Sequence, residues 1–143
     1  MSAGRLEIYC QTINPNYDAE LAEELGADDY GMKSYVLVLL KTGENKSTDQ
    51  EFISNSFAGH MANINRLVEE GKMLVAGPLG KNERDYRGIF ILTETDHTRA
   101  RELLDGDPAI REGLLAAELY DWYGSAALGS YLQDSDKVWK IKP

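Results

Sequence analysis

The chain has 143 residues, 43% of them hydrophobic and 27% charged, with a net charge of −9: one domain with a single modest core. The acidic balance, with no basic run, argues against nucleic acid and anionic membrane surfaces as partners, while a small anionic ligand held by one or two arginines stays open. A lone cysteine, Cys10, excludes an intrachain disulfide, and with no signal-peptide pattern in MSAGRLEIYCQTI and no apolar run longer than Tyr35 to Leu40 a cytoplasmic protein is expected.

Residues 5–13, RLEIYCQTI, alternate weakly and read as an accessory strand, and Asn14-Pro15-Asn16 is turn chemistry. Asp18 to Leu25 reads as a short acidic helix stopped by Gly26, its charged face either solvated or a docking surface. The connector ADDYGMK leads to Ser34 to Lys41, SYVLVLLK, a continuous apolar run that suits a strand covered on both faces or lying in a sheet packed against helices. A polar loop offers Ser47, Thr48 or Asp49 as N-cap of a long helix, which runs to Glu70 and stops at Gly71. Lys72 to Ala76 is a second strand and Gly77-Pro78 a turn. Gly88 to Thr93 is a third strand, joined to the second as a hairpin. A helix over Glu94 to Leu104, the run DPAIREG and a last strand over Leu114 to Tyr123 complete the order. That order is β-α-β-β-α-β, an α+β fold of the ferredoxin-like arrangement. Residues 1–33 form an N-terminal extension with the short acidic helix. Residues 129–143 form a C-terminal tail whose Trp139 and Ile141 need an apolar partner, within the chain or across a subunit boundary.

In the long helix Ile53, Phe57, Ile64, Leu67 and Val68 fall on one stripe, and His60 falls near its middle. A ring there is either a structural histidine satisfied by a carbonyl or buried carboxylate, or a general acid–base. Imidazole suits the second role because its ordinary pKa of about 6.5 lies near neutrality. Asp107 also has two readings. Pro108 keeps it out of the helical region and favours the first helical position, which makes Asp107 an N-cap; or its carboxylate reaches His60 and orients the ring. The two are compatible, since a carboxylate has several acceptor sites. Gly77 and Pro78 read as a turn or as the mouth of a cleft, and GPLGK lacks the spacing and hydroxyl of a phosphate-binding loop. Asn63, one turn from His60, offers its amide to a ligand or to a neighbouring helix. Arg87 and Arg66 are candidates for an anionic substrate group or for salt bridges, and Tyr123, with Tyr120 and Trp122, for a substrate contact or the wall of the core. His60, His97 and Cys10 are too scattered for zinc, and GxSxG and GxGxxG patterns are missing, so no metal and no cofactor are expected.

Taken in their order, HMANINRLVEEGKMLVAGPLG, RGIFIL, DPAIREG and ELYDWYGSAAL resemble the YciI-like (YCII-related) family, and ELGADDYGMKSYVLVLLKTG is similar to its longer members. The resemblance implies a YciI-like domain over 34–128 and a homodimer in which two ferredoxin-like sheets pair into a dimeric α/β barrel, similar to muconolactone isomerase; higher assembly stays open. It also implies a histidine–aspartate site at the matching positions, His60 and Asp107. The expected function is then a small cofactor-free enzyme using this dyad for proton transfer or elimination on a small cyclic or carbonyl compound, dehydrochlorination of chlorinated hydroxyquinones being one enzymatic role in the family. The alternative is a noncatalytic dimer, accessory or ligand-binding, that keeps the pair for structure. In the enzyme the ring lines a solvent-connected cavity; in the scaffold it is sealed.

Overall fold

The computed structural model describes residues 13–143. The expected accessory strand over 5–13 lies, but for its last residue, outside them, as does Cys10. Helix α1 (Ala19–Leu25) is capped by the Asp18 carboxylate and ends at Gly26 in left-handed backbone, φ 74°. Then come strand β1 (Met32–Thr42), helix α2 (Gln50–Glu69), strands β2 (Met73–Pro78) and β3 (Tyr86–Leu92), and helix α3 (His97–Asp105). The single turn α4 (Pro108–Arg111), strand β4 (Leu115–Ser125), a 3-10 helix (Ala126–Tyr131) and the single turn α5 (Leu132–Ser135) close the chain. Of the three candidate caps it is Asp49 that holds the start of α2, accepting the Glu51 and Phe52 N–H groups. Gly71 takes the left-handed turn beyond its end at φ 72°, the conformation a side chain would strain.

The sheet is antiparallel in the order β2-β3-β1-β4, the ferredoxin-like topology of an α+β fold. Strand β1 lies between β3 and β4; its helix-facing residues are sealed and its other face is covered at Tyr35 and half-covered at Leu37 and Leu39, which is why its sequence runs apolar without alternating. Towards the helices Val36, Val38 and Leu40 pack with Phe90 and Leu92 of β3, Leu67 of α2, and Ala100 and Leu104 of α3. Each large side chain sealed there contributes about 1.5–3 kcal/mol, so this layer carries most of the fold's stability. No described helix is long and apolar enough to cross a membrane.

The other face is not bare, as the pairing of two naked sheets would require. Tyr35, Leu74 and Ile91 are buried on it beneath Leu128 and Leu132, and the Tyr35 hydroxyl donates to the Ser125 carbonyl at 2.6 Å. The tail leaves edge strand β4 carrying leucines that lose less by folding back onto the sheet than by facing water. What stays half open is a strip with Leu37, Leu39 and Ile89, beside the Lys41–Glu118 ion pair at 2.5 Å.

Candidate functional site

His60 stands on α2 with its ring edge-on to Phe57, centroids 5.8 Å apart, and tilted over Phe90 at 5.9 Å. Its Nδ1 lies 2.5 Å from Asp107 Oδ2. The other oxygen of Asp107, Oδ1, accepts the N–H groups of Ala109 at 2.9 Å and Ile110 at 3.4 Å, and so caps α4, with Pro108 at its start. One carboxylate therefore fixes a helix end and a ring at once. An ionised carboxylate only accepts, so Nδ1 carries the ring proton and Nε2 is the nitrogen left free for chemistry. Asp107 is sealed from solvent, whereas the His60 side chain keeps 13% of its surface exposed.

That exposed part of His60 lines a cavity of about 730 Å³ between α2, the β2–β3 side of the sheet and the tail, the size and apolar character of a small-molecule site. Leu40, Phe90 and Leu115 come from the sheet, Phe57, Ile64 and Val68 from α2, and Gly77, Pro78 and Arg87 from the hairpin. The apolar stripe of α2 is thus divided: Leu67 enters the core, while Phe57, Ile64 and Val68 remain half-buried against the cavity. Charge enters the lining from Arg87 and Lys142 and from Glu69 and Asp136.

The remaining wall is the tail, through Tyr131, Leu132, Ser135, Asp136, Trp139 and Lys142. It arrives by way of edge strand β2, where the Tyr131 hydroxyl donates to the Leu74 carbonyl; burial raises that hydroxyl's pKa above the ordinary 10.0. Sequence reasoning assigned no site residue here. The available signal was Trp139, too apolar to lie unpartnered.

Asn63, Arg66, Tyr120, Trp122 and Tyr123 stand off the cavity. Asn63 is buried and turned sideways: its Nδ2 donates to the Leu103 carbonyl at 3.3 Å and its Oδ1 accepts from Arg66 at 2.6 Å, so its amide ties α2 to α3. Tyr123 is exposed on β4 and donates to the Asp28 carboxylate. That bond is the main reason the Asp28 carboxyl sits below its ordinary value and the Tyr123 hydroxyl above its own. His97, exposed at the start of α3, pairs with Asp121 at 2.7 Å. Among the described residues no group of three or more His, Cys, Asp and Glu side chains is placed to hold a metal ion.

No family model and no curated protein matches the chain. Among solved structures it is similar to 5-chloro-2-hydroxyhydroquinone dehydrochlorinase (TftG) from Burkholderia phenoliruptrix AC1100, in complex with 2,5-dihydroxybenzoquinone. The identity is 26%, covering 60% of this chain and 92% of that one, with a TM-score of 0.40.

Proposed function

We propose that this chain is a small cofactor-free enzyme of the YciI-like type, in which His60 moves a proton and Asp107 holds its ring. The observation that carries the reading is a ring tied through Nδ1 to a sealed carboxylate while its remaining surface opens on a cavity. The order of His60, Gly77-Pro78 and Asp107-Pro108, together with the sheet topology, supports the family assignment.

In this reading neutral His60 accepts at Nε2 a proton from a carbon next to a carbonyl. The electron pair of the broken C–H bond moves into the carbonyl as an enolate, and the Asp107 carboxylate stabilises the imidazolium that forms. The enolate then either takes the proton back at another carbon, an isomerisation, or expels a leaving group from the neighbouring carbon, an elimination. Hydrolysis would call for a nucleophile beside the ring, and the side chains stacked on it are Phe57 and Phe90. The apolar walls suit the body of a small cyclic or carbonyl compound, Gly77 and Pro78 shape the mouth, and Arg87 is the residue to receive an anionic group.

The test is to incubate the protein in D2O with a panel of small cyclic ketones, lactones and β-substituted carbonyl compounds, and to follow deuterium uptake and leaving-group release by NMR. Turnover of at least one compound is expected, reduced about 10²–10⁴-fold by His60→Gln. A His60→Gln protein that turns the same compound over at the parent rate would sink the reading.

Asp107's complete burial and its cap bonds favour a second reading, a noncatalytic ligand-binding dimer that keeps the pair for structure. Under it the panel compounds bind without turnover, and His60→Ala lowers the melting temperature instead.

A further inference from the structure

We infer that Gly59 is a positioning residue for the His60–Asp107 pair and acts through Pro108. Its consequence for turnover rests on the proton-transfer reading above; the contact itself does not.

Gly59 lies in the middle of α2, immediately before His60. A methyl group placed on it would sit 2.4 Å from Pro108 Cγ and 2.9 Å from Cδ, far inside the carbon–carbon contact distance of about 3.5–4.0 Å. Pro108 follows Asp107 directly and opens α4. Its ring is closed onto the backbone and cannot swing aside as a long side chain would. A side chain at residue 59 would therefore displace the start of α4 itself, and with it the capping residue Asp107. The space left by the missing methyl is where α4 docks, and docking at that depth brings Asp107 Oδ2 to 2.5 Å from His60 Nδ1.

Two further observations fit. Glycine inside a helix is less favourable than alanine, so its presence in mid-α2 needs a tertiary cause, and the Pro108 contact supplies one. On the other side of Asp107, a methyl on Gly106 would lie 2.8 Å from Asn63 Oδ1 and 2.9 Å from Arg66 Nη2. Those atoms are ends of side chains that can yield, so Gly59, facing a rigid ring, sets the depth of docking.

The experiment uses 15N-labelled protein. The hydrogen-bonded Nδ1–H of His60 gives a downfield proton resonance, assigned by its loss in His60→Gln. Gly59→Ala is expected to shift this resonance upfield or broaden it into exchange with water, and to lower Tm although alanine is the better helix former. Gly59→Ala combined with Pro108→Ala, which removes Cγ and Cδ, is expected to restore the resonance. On any panel compound that is turned over, Gly59→Ala should lower kcat about tenfold or more with little change in KM, and the double variant should recover it. An unchanged resonance or a raised Tm in Gly59→Ala overturns the inference, and so does a shift that the double variant leaves uncorrected. If Gly59→Ala alone does not fold, a folded double variant with the resonance in place supports the inference and an unfolded one overturns it. Full turnover by His60→Gln alongside a shifted Gly59→Ala resonance would remove the catalytic reading and leave the positioning role standing.

Discussion

Asp107 has no exposed surface, yet both of its oxygens have donors, two backbone N–H groups on one and a ring nitrogen on the other. Replacing it by alanine frees the end of α4 and leaves the ring N–H of His60 without an acceptor. Asp107→Ala is therefore expected to lose about 2–4 kcal/mol in urea denaturation. Asn at the same site separates geometry from chemistry. Its amide oxygen can cap α4, and its NH2 then faces Nδ1, which must become the acceptor and leave the ring proton on Nε2, towards the cavity. Asp107→Asn should cost about 1 kcal/mol or less, show the opposite imidazole tautomer in ring 15N shifts, and lose proton abstraction. A destabilisation as large as that of Asp107→Ala would mean that the charge, not the shape, holds the cap.

Helix α2 and the tail divide the cavity between them. The periodicity of α2 marks an apolar face, but that face serves two surroundings, the core at Leu67 and the cavity at Phe57, Ile64 and Val68. The tail is anchored early, through Leu128 and Leu132 on the sheet and Tyr131 on β2, whereas residues 136–143 are exposed and reach the cavity mainly through Trp139 and Lys142. Ending the chain after Ser135 should change stability by no more than about 1 kcal/mol, because the anchors stay. It should raise KM of a turned-over compound about tenfold, because one apolar wall has gone. A truncated protein with the parent KM would show that these residues are bystanders.

At the scale of the molecule, the tail changes the case for dimerisation without removing it. It covers the sheet around Tyr35, Leu74 and Ile91, and leaves the half-open strip of Leu37, Leu39 and Ile89. A homodimer would close this strip against a second copy. Sedimentation equilibrium of the parent protein should show a dimer, and Ile89→Lys a monomer with an unchanged circular dichroism spectrum. A parent protein that is monomeric at every concentration would leave the strip as ordinary surface.

What the sequence determined by itself is local. The apolar run of β1, the Gly26 and Gly71 stops and the Asp-Pro cap follow from local pattern, backbone sterics and hydrogen bonding within a few residues, and each stands where the sequence puts it. Gly77 and Pro78, expected to turn the chain, instead end β2 and pair with Ile89 and Gly88, an edge strand being where a proline is tolerated; the connection to β3 lies beyond them. The strand order followed as well, since few topologies join these elements without crossing connections. The tertiary structure decided what depends on contacts between distant residues. It turned Asn63 towards α3 and Tyr123 towards Asp28, closed Asp107 onto His60 across 47 positions, and folded the tail over the sheet face away from the helices. The family motifs pointed to the pairing of His60 with Asp107, whereas the turning of Asn63 and Tyr123 and the path of the tail have neither a period nor a motif. They follow from how closely α4 can approach α2 and from where leucines leaving an edge strand find cover, and both are properties of the packed molecule.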